Sequence, residues 1–238
     1  MRRSVLSFAL LIACSGSEPS EEPARAARET SEPEAARTEP EADSEEEPEA
    51  ERRTFAAAAE GDAMIEPVIG QWVRYGVTWR NHGRSTTEYR FVDRQNDSWW
   101  LEVTDRRANA RNHVRMRVRP TAEGVELLAL SFHHQGQPRE DIPDRLLSTY
   151  EPMLAQWLKM IFPGPLEGEP EDVTVPAGVF PGSRSTHETL SFGGNVVEAT
   201  VWRHPAVPVT GMVRFRDDGG GHTVELLGFG LEGARSEF

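Results

Sequence analysis

From Gln71 to Arg80 the chain reads QWVRYGVTWR, with apolar and polar residues alternating one by one. Val73, Tyr75, Val77 and Trp79 fall on one side of an extended backbone, and Arg74, Gly76 and Thr78 on the other. A period of two belongs to a β-strand with one buried face, because a helix needs apolar residues three and four positions apart. After NHGRS the alternation resumes in TEYRFVD (87–93), then in SWWLEVTD (98–105), RNHVRMRVRP (111–120) and VELLALSF (125–132). RQND and TAEG separate neighbouring runs, so five short strands joined by tight turns predict an antiparallel meander.

The period then changes. In DRLLSTYEPMLAQWLKMIFPGP, Tyr150, Met153/Leu154, Trp157/Leu158 and Ile161 recur at helical spacing. Pro152 is expected in the first turn, where a missing N–H costs nothing, with any helical residue before Ser148 in a separate turn. Pro163-Gly164 ends the helix. Strands return in EDVTVPAG (171–178), GSRSTHETLSF (182–192), VVEATVWRH (196–204), VTGMVRFRD (209–217) and HTVELLGFGLEG (222–233). The expected fold is mainly β: a curved, half-barrel-like antiparallel sheet of about ten strands around one central helix. A sheet this wide curls, splits or closes, and the apolar helical stripe needs a partner.

The β-rich domain is expected from residue 61 to 238. The segment before it has a different physics: Ser15–Glu60 holds fifteen acidic and five basic residues, and so carries −10 of the chain's −13. Phe55 is its one aromatic residue, too little apolar surface to offset chain entropy. Glu-Pro steps stiffen it, so 14–60 reads as a disordered acidic tether, either a spacer or a recruiting tail, with Arg52–Ala59 open to a short helix. The domain proper is still net acidic, which disfavours nucleic acid as a partner.

Arg2 and Arg3 precede an apolar stretch from Ser4 to Ala13, too short to span a bilayer, which takes about 20 residues. This is the layout of a secretory signal, residues 1–13. Leu11-Ile12-Ala13-Cys14 resembles the bacterial lipobox, and Cys14 is the chain's single cysteine. The resemblance implies acylation of Cys14 by diacylglycerol and a further acyl chain such as palmitate, which anchors the chain in a membrane. Ser15 in place of an aspartate implies the outer membrane, on its periplasmic or surface side. Several acyl chains hold firmly, at about 0.8 kcal/mol per buried methylene.

The long meander with an inserted helix, on a lipidated chain, resembles the half-barrel of the LolA/LolB-like lipoprotein carriers and their mycobacterial relatives. TVPAGVF (174–180) and VWRHPAVPVTGMV (201–213) are similar to a pattern in uncharacterised periplasmic β-proteins. The resemblance implies an apolar concave face that accepts acyl chains. Physics reads the same residues as a turn at Pro176 and Gly178 and a strand-edge proline at Pro208.

Several constellations invite chemistry. GFGLEG (228–233) spells GxGxxG, but too few residues follow for the helix of a dinucleotide fold, so it reads as a bent last strand. His133 and His134 near Glu140 and Asp141 offer metal-ligand types, yet adjacent strand residues face opposite ways, and no metal or cofactor is assigned. Arg111, His113, Arg115, Arg117 and Arg119 share one strand face. They either grip anions or form a solvated face paired with Glu102, Glu123 or Glu126, and the second reading is preferred. His187 beside Glu188 has no serine context, there is no GxSxG elbow, and no catalytic residue is assigned. Of six tryptophans, Trp99 and Trp100 are strand neighbours, so one faces inward and the other outward. Trp99, Trp100, Tyr150 and Trp157 are the expected ligand-contacting residues of a non-enzymatic module that holds a lipid-like molecule. The alternative is an interaction lipoprotein with a fully packed sheet, whose partner is another envelope protein.

Overall fold

The computed structural model describes residues 53–80, 83–121, 124–192 and 195–238. The signal, Cys14, Glu123 and residues 14–52 of the expected tether lie outside the described residues. The strands are β1 (Trp72–Trp79), β2 (Gly83–Gln95), β3 (Ser98–Arg107), β4 (Ala110–Thr121), β5 (Gly124–His134), β6 (Glu140–Asp141), β7 (Glu169–Val175), β8 (Gly178–Phe192), β9 (Asn195–Arg203), β10 (Met212–Asp217) and β11 (His222–Gly230). One helix, α1 (Asp144–Ile161), lies between β6 and β7. The expected curved antiparallel sheet is present, with eleven strands in the order β6-β5-β4-β3-β2-β1-β11-β10-β9-β8-β7. Two local meanders are thus joined along one seam, where β1 pairs with β11. The sheet stays open, with β6 and β7 as its edges. Those edges are blunted by the shortness of β6 and by Glu169, Pro170 and Glu171 in β7.

Curvature follows from what the helix touches. Helix α1 packs on both β5 and β8, which stand eight strand spacings apart. Laid flat, those strands would be about 38 Å apart at ~4.8 Å per strand. An 18-residue helix is only about 27 Å long, so the sheet curls around it. The helix begins at Asp144, earlier than the sequence indicates, which puts Pro152 in its interior rather than in its first turn. A mid-helix proline removes one N–H···O bond and crowds the preceding turn. The apolar stripe offsets this: Leu147, Tyr150 and Leu154 pack against the core, and Trp157, Leu158 and Ile161 are buried in it.

On the inner face, Tyr75, Phe91, Leu101, Met116 and Leu130 from the first meander meet Phe180, Val201, Val213 and Leu226 from the second. Tyr75 crosses the core and donates to Met212 O at 2.8 Å, with Thr210 Oγ1 at 2.5 Å. Its burial drives its pKa well above the usual phenol range.

The ordered part begins before Gly61. Residues 53–59 form an extended strap instead of a helix or tether: Phe55 N donates to Val179 O at 3.0 Å and Ala58 N to Pro181 O at 3.0 Å. Phe55 stacks on Phe180 with centroids 4.4 Å apart. A side chain at Gly182 would stand 2.7 Å from Ala58 O, so glycine there makes room for the strap. Pro208 sits in the loop between β9 and β10, not on a strand edge, because β10 starts only at Met212.

Candidate functional site

The four expected ligand residues do not gather at one opening. Trp99 is buried against Phe91, with ring centroids 5.8 Å apart. Trp157 is buried too, and its Nε1 donates to Tyr89 OH at 3.3 Å, a phenol whose pKa burial pushes up to about 12. Tyr150 is half-buried, 6.0 Å from the Phe132 ring. These three belong to the inner side, whereas Trp100 points out, as strand alternation requires. An apolar cleft of about 280 Å³ is lined in part by Met64, Ile65, Ile161, Phe162, Val207 and Val209, and by none of the four.

The outer face of the first meander has another chemistry. Strand register sets two rungs across it: Trp72–Arg90–Glu102–Arg115–Ser131–Asp141, and Arg74–Glu88–Thr104–His113–His133. Glu88 accepts from Arg74 Nε at 2.7 Å and from Arg90 Nε, with Arg106 Nη1 at 3.7 Å. Arg115 Nε lies 3.7 Å from Glu102, Arg117 donates to Gln95 Oε1 at 2.7 Å, and Arg119 to Glu126 at 2.6 Å. Of the arginine stripe, Arg115 and Arg119 are therefore paired across the sheet with Glu102 and Glu126, as the sequence indicates, whereas Arg117 turns to Gln95.

A segment far away in sequence completes this face. Beyond β11 the chain turns back, fixed by Ala234 N donating to Gly70 O at 2.8 Å. Ser236 Oγ donates to Glu102 Oε1 at 2.5 Å and Glu237 N to Glu102 Oε2 at 2.9 Å. The Glu237 carboxylate meets Arg90 Nη2 at 3.0 Å, Arg106 Nη2 at 3.4 Å and Arg111 Nη2, with His113 Nδ1 at 3.8 Å. The Phe238 ring lies 5.3 Å from the Arg139 guanidinium, 6.2 Å from the His113 ring and 6.3 Å from that of His133. Burial pushes the Glu237 pKa up, but Arg90 and Arg111 outweigh it and hold the carboxyl below its ordinary range. Glu88 is lowered in the same way, against its burial, by Arg74 and Arg90. His113 is lowered by burial and by Arg111, which keeps it neutral near pH 7. Of the groups that meet Glu237, the sequence singled out Arg111 and His113 but not Arg90 or Arg106, and Glu237 lies more than a hundred positions from all four.

Outward tryptophans are covered by guanidinium groups rather than by a second layer. Arg115 lies 4.4 Å over Trp100, Arg74 5.4 Å from Trp72, and Arg216 5.3 Å from Trp202. Such stacking desolvates the ring while leaving the charge partly wet. The GxGxxG stretch has its explanation here. A Cβ on Gly230 would collide with Trp72 Nε1 and sit 2.9 Å from its Cε2, so the glycine seats the indole.

His133 lies beside His113 on the outer face, whereas His134 shares the inward side with Phe132 and meets Asn112 Oδ1 at 3.0 Å. Among the described residues no three His, Cys, Asp or Glu side chains converge as metal ligands. His187 Nδ1 faces both Thr200 Oγ1 at 3.3 Å and Asp218 Oδ2 at 3.6 Å. A hydrolytic triad instead needs its nucleophile and its orienting acid on different ring nitrogens. Compared with known proteins, the chain matches no family model and no curated sequence.

Proposed function

We propose that the chain is a lipid-anchored cell-envelope protein whose β domain is a non-catalytic interaction module, held to a membrane through acylated Cys14. The observation that carries this reading is the seating of α1. Trp157, Leu158 and Ile161 fill the concave side that a lipid carrier would keep open, against Tyr89, Phe91 and the strands around them. Recognition then falls to the outer face, where charge and aromatic surface are concentrated. Native mass spectrometry of the purified chain, with lipid extraction of the same sample, tests it. The expected mass carries the lipid on Cys14 and no other. A reproducible phospholipid or fatty-acid adduct that survives Cys14→Ser overturns the interaction reading, and palmitate labelling that survives the same substitution overturns the anchor.

A second reading, a small hydrophobic ligand in the apolar cleft, has one observation in its favour. Val209 lines that cleft at φ 66°. Left-handed backbone is costly for a β-branched side chain, and such strain concentrates where ligands bind. An adduct lost on Val209→Gly would favour this reading.

A further inference from the structure

We infer that the arginine-rich outer face is a binding site for an acidic–aromatic peptide segment of a partner protein, with the chain's own Ser236-Glu237-Phe238 as its resident occupant. The inference rests on the interaction-module reading and names the chemistry of the partner.

The resident segment occupies the face without satisfying it. Arg74, Arg90, Arg106, Arg111 and Arg115 surround only three carboxylates, those of Glu88, Glu102 and Glu237. With Glu237 in place, Arg90 Nη1, Arg111 Nε and Arg115 Nε remain buried with no hydrogen-bond partner. The Arg90 side chain is only 5% exposed, so its idle Nη1, on the same guanidinium as the Nη2 that meets the Glu237 carboxylate, is a desolvated donor. Unpaired buried donors are costly, and a ligand with a second carboxylate would relieve that cost.

The pattern of groups selects a peptide over a phosphate-bearing surface. Glu102 accepts from a backbone N–H, that of Glu237, beside the arginines that take its carboxylate. A phosphate has no such donor, and it would meet the charges of Glu102 and Glu88 directly. The third element is a ring seat bounded by Arg139, His113 and His133. Donor, carboxylate and ring in that order describe an acidic residue followed by an aromatic one. The resident copy is tethered close to its seat, so it competes at an effective concentration on the order of millimolar. A partner must exceed that, through the unused guanidinium donors or through several copies on one surface.

The test uses the full chain with Glu237→Ala/Phe238→Ala, which empties the carboxylate and ring seats and leaves only the Ser236 hydroxyl and the residue-237 N–H on Glu102. The probe is a peptide of residues 232–238, fluorescently labelled and amidated, followed by anisotropy. The emptied variant should bind the probe at least tenfold more tightly than the unaltered chain. Adding Arg111→Ala should weaken that binding at least tenfold, as should Glu→Gln at position 237 of the probe. Circular dichroism and a melting curve establish that each variant is folded. No binding to a folded emptied variant overturns the proposal, as does equal binding with and without Arg111. Phosphatidylglycerol vesicles bound by the Cys14→Ser form as tightly as the probe, and released by Arg111→Ala, overturn it too, because the face would then read phosphate. These outcomes are separable from the lipid-adduct experiment, which reports only on the inner side and the anchor.

Discussion

The two faces of this sheet are made by the same strands, residue by alternate residue, yet they are held by opposite means. The inner face is aliphatic and aromatic and is closed by a helix. The outer face of the first meander is closed by guanidinium groups lying over tryptophans and by a returning segment that carries one carboxylate into the reach of three arginines. Burial is therefore not the property of one layer. Arg90 and Glu102 are as hidden as many core residues, at 4% and 2% exposure. What differs is the cost of an error: a missing methyl group inside leaves a void, whereas a missing partner outside leaves a charge.

The sharpest way to break the inner face is Leu158→Ala, which deletes a fully buried side chain from the helix that closes the sheet. It should cost about 2–5 kcal/mol in urea unfolding, with little dependence on salt. Arg90→Ala is its outer counterpart. It strips a buried cation from Glu88 and Glu237 and should cost about 2–3 kcal/mol. Gly230→Ala forces the Trp72 indole from its seat, and about 1–2 kcal/mol with a changed tryptophan emission should follow.

Charge also tests the comparison from the inside. Asp105 is 6% exposed, and its Oδ2 has no hydrogen-bond partner although Arg107 Nε stands 3.4 Å away. Burial raises its pKa above the ordinary 3.8 despite Arg107, Thr87 and Ser85. Its contribution is complete below that value and is lost as pH rises through the raised one. Asp105→Asn should therefore stabilise the fold by about 1 kcal/mol at pH 7 and by nothing at pH 3. The outer carboxylates run the other way. Glu88 and Glu237 sit below the ordinary 4.5 when folded, so their stabilisation is complete above it and lost as pH falls through their lowered values. Melting curves between pH 3 and 6 should show this loss, reduced in Glu237→Gln and unchanged in Arg119→Ala, an exposed pair outside the cluster.

Alternation made the strands legible, and with them the facing of Trp99 against Trp100 and of the arginine stripe. Neighbouring side chains on a strand have no freedom to share a side, so one sequence suffices. The start of α1 was not legible, because Pro152 carries the same local signal at a helix start as inside a helix rescued by packing. The strap was missed because Ala56–Ala59 carries no periodicity, and its pairing with β8 is written in Gly182 and Phe180 instead. Trp99 and Trp157 are expected from the sequence to contact a ligand, but only three-dimensional packing decides whether such a ring meets a ligand or its own helix. The outer site was half visible. Arg111 and Arg115 lie on one strand, whereas Arg74, Arg90 and Arg106 come from three others, and the Glu102–Glu237 contact leaves no local trace in either segment.

The strand order also carries a consequence for time. Every pairing but one joins strands that are neighbours in sequence, and these can zip from short turns. The exception is the seam, where Trp79 finds His222, 143 positions later. Closing a loop of that length costs about 3 kcal/mol more than closing a four-residue turn. Two meanders therefore form first, each with a long bare edge, β1 on one and β11 on the other. The interval before they meet is when the chain is most open to pairing with a neighbour, and residues of the seam set how long that interval lasts.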